Sequence, residues 1–120
     1  MTASTITPRD RLIFALDVPD ATAARQMVEQ LGDSVTFYKV GLELMAAGGY
    51  FELVEWLLER NKKVFADLKL FDVPATVSRA VSLLAKRGIT FATVHGNQGI
   101  MEAAAAAKGE LKILAVTVLT

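Results

Sequence analysis

The sequence predicts an α/β protein, specifically about the first half of a (β/α)8 TIM barrel, with five parallel strands and four helices. Three observations carry that prediction. Short β-rich apolar runs alternate with stretches of helical period along the chain. The runs are almost continuously apolar, as strands of a parallel sheet are when helices cover them. Ionisable groups also recur near the carboxyl ends of successive runs, at Asp17, Lys39, Asp67 with Lys69, and His95.

The elements follow in order. "LIFALDV" (12–18) reads as the first strand and "ATAARQMVEQL" as the first helix, with Ala24, Met27, Val28 and Leu31 on one face and Asp20 placed to cap it. "FYKVGLE" (37–43) is the second strand. "GYFELVEWLLERN" is the second helix, with Phe51, Val54 and Leu58 on its apolar face. "KVFADLKL" (63–70) is the third strand. "PATVSRAVSLLAKRG" follows as a helix with Pro74 near its start, Val77, Ala80, Val81 and Leu84 on one face, and Gly88 past its end. "FATVHG" (91–96), the Ala-rich helix "GIMEAAAAAKG" and "ILAVTVL" (113–119) complete the series.

Alternation alone fits a doubly wound sheet as well as a barrel. The first strand is followed by "LDVPDATAAR" and not by GxGxxG, which weighs against a dinucleotide-binding domain. Strand period sharpens the choice. Ile13, Ala15 and Asp17 share a face, as do Phe37, Lys39 and Gly41; Phe65, Asp67 and Lys69; Thr93 and His95; and Ala115, Thr117 and Leu119. Polar groups converging at the carboxyl ends of successive parallel strands are the layout of a barrel active site, whereas an open sheet concentrates them at one switch point. A unit of roughly 25 residues requires about 200 or more for eight. The expectation is therefore that residues 1–120 are the amino-terminal portion of a single barrel domain, the chain ending on a strand.

Composition narrows the function classes. The chain has 13 basic and 13 acidic residues, and no basic run longer than Lys62–Lys63, so it shows no electrostatic footprint for nucleic acid. It has no cysteine, which excludes disulfides and thiolate metal sites. "MTASTITPRDR" lacks the order of a secretory signal, and "LIFAL" is too short to span a membrane. A soluble cytoplasmic protein is the default.

The chemistry concentrates at "FADLKLFDVPAT" (65–76). Buried charge is costly unless paired, and an isolated buried pair often contributes nothing net to stability. Asp67 and Lys69, two apart on one strand, point the same way. They form either a structural ion pair or a working one. Asp72 is either a turn or helix cap ahead of Pro74 or a site residue. Asp17 is equally a turn residue or a ligand contact, Lys39 a snorkelling strand-end lysine or a site cation, and Thr76 an ordinary first-turn residue or part of the site. His95 is the only histidine, without partners for a zinc site or a Ser-His-Asp triad, and reads as a supporting group at the barrel mouth.

"ADLKLFDVPAT" resembles the D-x-K-x-x-D-[IV]-P-x-T signature of the orotidine 5′-phosphate decarboxylases. "LIFALDV", "FYKVGLEL" and the terminal "VTVLT" resemble the first, second and fifth strand motifs of that family, in order, so the resemblance runs from Arg11 to Thr120. It implies conversion of orotidine 5′-monophosphate to uridine 5′-monophosphate in pyrimidine biosynthesis, without a metal or organic cofactor. It implies a Lys39, Asp67, Lys69, Asp72 charge array with Lys69 as proton donor. It further implies that Asp17, Lys39, Thr76 and Thr120 contact substrate, and that Asp72 and Thr76 act across a homodimer interface. Phosphate sites in barrels commonly form after strands seven and eight. The expectation is thus that these 120 residues alone have little or no activity. Two other readings remain open: a non-catalytic half-barrel that self-associates through its unpaired strand edges, and a related sugar-phosphate decarboxylase using magnesium.

Overall fold

The structure, a computed structural model, describes residues 5–120. Residues 1–4, the start of the stretch read as lacking a signal's order, lie outside the described residues. The five strands are β1 (Phe14–Ala15), β2 (Phe37–Gly41), β3 (Lys63–Leu70), β4 (Phe91–His95) and β5 (Lys112–Val116), and their sheet order is the chain order. Strands laid down consecutively in parallel are the barrel pattern; a doubly wound sheet reverses order at its switch point. The helices are α1 (Ala21–Leu31), α2 (Leu42–Ala47), α3 (Tyr50–Glu59), α4 (Pro74–Lys86) and α5 (Gln98–Ala107). The chain divides into two compact units, one ending at Val64 and the other spanning Phe65–Thr120.

In the first unit β1 pairs with β2 in parallel, Phe14 opposite Tyr38 and Ala15 opposite Lys39. Asp20 caps α1 as expected, its Oδ1 accepting the Ala23 amide at 2.8 Å. Ala24 and Val28 bury the inner face of that helix, which packs on α3. The run read as a strand over 37–43 stops at Gly41, and Leu42 opens a short helix. Gly48 and Gly49, at φ +96° and +72°, then separate α2 from α3, so the described residues contain five α-helices where four were expected. The buried face of α3 is Tyr50, Leu53, Val54 and Leu57, and only Val54 of the expected set belongs to it. Tyr50 sets this rotation. Its hydroxyl donates to the Val40 carbonyl at 2.9 Å, anchoring the first turn so that Leu53 and Leu57 stack below it.

The amino ends of β2 and β3 are tied by a polar clamp. Lys63 donates its amide to the Thr36 carbonyl at 2.8 Å, the Thr36 hydroxyl donates to Asp10 Oδ1 at 2.7 Å, and the Lys63 ammonium lies 2.9 Å from Asp10 Oδ2. The Thr36 hydrogen bond, followed by that from Lys63, holds the Asp10 carboxyl below its ordinary value.

In the second unit β3 pairs with β4, Phe65 opposite Phe91 and Ala66 opposite Ala92, with the two rings edge-to-face at 5.6 Å. β4 pairs with β5 from Phe91–Lys112 to His95–Val116. Pro74 opens α4, whose Val77, Val81 and Leu84 are buried, and α4 packs along α5, which buries Ile100 and Ala104. Asn97 caps α5 by accepting the Ile100 amide. The last strand ends at Val116, three residues short of the expected Leu119, so Thr117 and Leu119 do not share a strand face with Ala115. β1 is likewise shorter than its apolar run, because only Phe14 and Ala15 find ladder partners.

Candidate active site

Each unit carries expected site residues at its own strand ends. In the first, β1 and β2 run in register to Ala15 and Lys39, and the Leu16 amide donates to the Lys39 carbonyl at 2.9 Å. Asp17, exposed, follows directly on Leu16, and Lys39 is half-buried near the carboxyl end of β2. Two of the expected residues therefore occupy the carboxyl ends of neighbouring parallel strands.

In the second unit the structure brings Asp67 and Lys69 together. The Lys69 ammonium lies 2.8 Å from Asp67 Oδ2, with the Asp67 side chain 14% exposed and that of Lys69 40%. Strand alternation does not by itself close this pair. Lys69 has φ +48°, a left-handed backbone that costs a non-glycine residue about 1–2 kcal/mol. The register is irregular there too, since the four steps from Ala66 to Leu70 run against two from Ala92 to Val94. The extra residues bulge β3 opposite Thr93, and bulges of this kind re-aim side chains beside active sites. Thr93 fills the bend. Its hydroxyl donates to Asp67 Oδ1 at 2.7 Å and accepts the Lys69 amide at 2.9 Å. Thr93 is 5% exposed and is the buried polar side chain of the described residues. The sequence placed Thr93 on the same face as His95 but offered nothing that singled it out; its partners on β3 become visible only in the fold.

Asp72 stands in the exposed segment between β3 and α4, with its Oδ1 2.7 Å from the Val73 amide. It is not the helix cap, since Val73 holds that position and no side chain caps α4. Exposed Phe71 and Val73 flank it. Thr76, half-buried, lies in the first turn of α4. A groove of about 320 Å³ is lined by Lys69, Phe71, Asp72 and Thr76 among others, bringing three of the expected residues to one surface. A larger hollow of about 500 Å³ is lined by Phe71, Asp72, Val73, Pro74, Asn97 and Ile100 and does not include the Asp67–Lys69 pair. Charge chemistry, not volume, marks the site. Thr120 is exposed beyond β5. His95 supports Phe71: the two rings stack at 4.3 Å and 12°.

Gly96 closes the mouth of this unit. Its amide donates to the Val116 carbonyl at 2.9 Å, and a Cβ there would sit 2.8 Å from the same oxygen. The carboxyl ends of β4 and β5 approach this closely only because residue 96 has no side chain.

An ammonium held by a carboxylate, beside a strand end, can stabilise negative charge developing on a bound molecule and can supply a proton. Comparison with known proteins bears on that chemistry. Residues 10–120 match the family model described as orotidine 5′-phosphate decarboxylase / HUMPS family. Over 111 residues the chain is 66% identical to orotidine 5′-phosphate decarboxylase of Methylococcus capsulatus, covering 92% of this chain and 46% of that protein. It is 54% identical over 113 residues to the protein of the same name from Xanthomonas campestris, with the same coverage. The crystal structure of orotidine 5′-phosphate decarboxylase from Lactobacillus acidophilus superposes with a TM-score of 0.82 at 36% identity, covering 91% of this chain and 53% of that one. The chain spans about half the length of the curated relatives it matches.

Proposed function

Because the chain belongs to the orotidine 5′-phosphate decarboxylase / HUMPS family, we propose that it carries the reacting half of an orotidylate decarboxylase. The observation that carries this reading is the Asp67–Lys69 pair, 2.8 Å apart at the carboxyl end of a parallel strand and set within D-x-K-x-x-D-V-P-x-T. In the proposed reaction the bond between C6 of the pyrimidine and its carboxylate breaks, carbon dioxide leaves, and the electron pair stays on C6. The Lys69 ammonium stabilises that carbanion and then gives it a proton, yielding uridine 5′-monophosphate; solvent reprotonates the amine. Asp67 aims the Lys69 ammonium through their 2.8 Å contact. Lys39 and Asp72 complete the alternating array. Asp17 and Lys39 hold the ribose, and Thr76 and Thr120 contact the nucleotide. No cofactor enters this scheme.

Asp72 and Thr76 act in this reading on a second subunit of a homodimer, which accounts for an exposed carboxylate framed by two exposed apolar side chains, Phe71 at 71% and Val73 at 62%. A cytoplasmic location belongs to this reading, as the place of pyrimidine synthesis. Among the described residues no helix is long and apolar enough to cross a membrane.

The test is loss of orotidylate absorbance. It is measured with the chain alone and with the chain joined to the carboxy-terminal part of the Methylococcus relative. The joined protein is expected to turn over orotidylate and the chain alone to do so weakly or not at all. Lys69→Ala in the joined protein is expected to lose about 10²–10⁴ in kcat, the range for a positioned general acid. An active Lys69→Ala variant would overturn the assignment of Lys69. Magnesium-dependent decarboxylation of a sugar phosphate instead would favour the other chemistry open to this superfamily.

A further inference from the structure

We propose that Thr93 is a positioning residue for the charge pair: its hydroxyl fixes the Asp67 carboxylate and holds the left-handed backbone from which Lys69 projects. Its catalytic consequence rests on the decarboxylase reading; its structural consequence does not. Three contacts close a ring through the Lys69 side chain. The Thr93 hydroxyl donates to Asp67 Oδ1 at 2.7 Å, and Asp67 Oδ2 lies 2.8 Å from the Lys69 ammonium. The Lys69 side chain leads back to its own amide, which donates to Thr93 Oγ1 at 2.9 Å. A hydroxyl has one proton to give and two lone pairs, so Thr93 can serve both neighbours at once.

The ring matters because it ties the Lys69 backbone and the Asp67 carboxylate to one hydroxyl at the irregular part of the ladder. At the bulge the register between β3 and β4 lapses between Ala66–Ala92 and Leu70–Val94. The Lys69 amide is there received by a side chain and not by a strand carbonyl. A left-handed non-glycine residue persists only where its surroundings over-determine it, and here the surroundings include that one oxygen. The Asp67 carboxylate, gripped through Oδ1 by Thr93, presents Oδ2 to the ammonium. Remove the hydroxyl and the carboxylate loses one of its holds, the amide loses that acceptor, and the ammonium is aimed from a looser base. Positioning errors of this kind depress the chemical step more than binding.

The experiment compares Thr93→Val, which keeps shape and loses the hydroxyl, with Thr93→Ser, which keeps the hydroxyl. Hydrogen exchange of the backbone amides is followed by NMR in the 120-residue chain. Thr93→Val is expected to speed exchange at Lys69 by about tenfold or more, in proportion to one lost hydrogen bond, while Ala66 and Ala92 stay protected. Thr93→Ser is expected to restore protection. General acceleration across β3 and β4 would show a merely structural role and overturn the proposal. So would a Lys69 amide that already exchanges at the free-peptide rate in the unsubstituted chain, a measurement that holds even if Thr93→Val does not fold. In the joined protein, Thr93→Val is expected to lower kcat by about tenfold to a hundredfold with KM within about threefold, and Thr93→Ser to recover it. An unchanged kcat refutes the positioning role. If the unsubstituted joined protein shows no turnover, the decarboxylase reading fails while the exchange data still decide whether Thr93 holds Lys69.

Discussion

Substituting Gly96 by alanine isolates a purely steric cost. The backbone at Gly96 is not left-handed, so alanine meets no conformational penalty there, yet its Cβ would lie 2.8 Å from the Val116 carbonyl oxygen and 3.4 Å from Thr117 Cα and Cγ2. Ordinary contact begins at 3.4 Å, so the intrusion is 0.6 Å against backbone. That carbonyl cannot swing aside freely, because it accepts the Gly96 amide at 2.9 Å. Overpacking of this order costs about 1–3 kcal/mol, and loosening the hydrogen bond adds about 1. The stiffer unfolded chain returns about 0.4–1 kcal/mol. The expected net loss is about 1–4 kcal/mol, read as a lower urea midpoint with unchanged slope. The Gly96 amide should exchange faster in the same variant. Gly48→Ala provides the contrast: nothing stands within 4 Å of its Cβ, but φ is +96°, so its cost is conformational. A Gly96→Ala protein within about 0.5 kcal/mol of the parent, the ordinary scatter of surface changes, with its amide still protected, refutes the close-approach argument.

Other perturbations follow from the same contacts. Tyr38 is fully buried and its hydroxyl has no hydrogen-bond partner among the described residues. Tyr38→Phe should therefore be neutral or stabilising by up to about 1 kcal/mol in thermal denaturation; a clear loss would mean the hydroxyl is satisfied. Burial pushes the Tyr38 phenol up. Its contribution to stability is thus complete below the ordinary value near 10 and is lost as pH rises through the folded value, a slope that Tyr38→Phe should remove. Asp10 has the opposite sign. Its folded value lies below the ordinary 3.8, so its stabilisation is present above that pH and lost as pH falls through the folded value. Asp10→Asn should flatten the acid limb of the stability profile, and an unchanged limb would discount the clamp. Asp20→Ala, which removes the α1 cap, should cost about 1 kcal/mol, with Asp20→Asn largely retaining it.

Much of the fold was legible because its signals are local. Pro74 at the first position of α4 and Gly88 past its end delimit that helix in the sequence as in the structure. Asp20 announces α1 for the same reason. The errors occur where a boundary depends on a distant partner. Leu42 to Ala47 contains neither a proline nor a capping side chain, so the strand-to-helix change at Gly41 left no mark. The apolar run at 12–18 is long enough for a full strand, but a strand extends only as far as its ladder, which holds Phe14 and Ala15. On α3 the helical period was visible and its phase was not. The Tyr50 hydroxyl bond to Val40, formed across ten residues, decided which face turned inward.

The order of the five strands and of every α-helix but α2, the charges near the strand ends, and the Asp67–Lys69 spacing could all be read from the residues. Periodicity and residue chemistry are properties of neighbouring positions, so these needed no partner. How that pair is held emerges only on folding. Two positions apart on a regular strand predicts two side chains pointing one way; the fold instead bulges β3, turns Lys69 left-handed, and sets the Thr93 hydroxyl between its amide and the Asp67 carboxylate. The physical reason is that a bulge belongs to the pairing of two strands, and Thr93 lies 24 residues from Lys69 along the chain. No local pattern records a hydrogen bond of that span, yet it sets where the ammonium points.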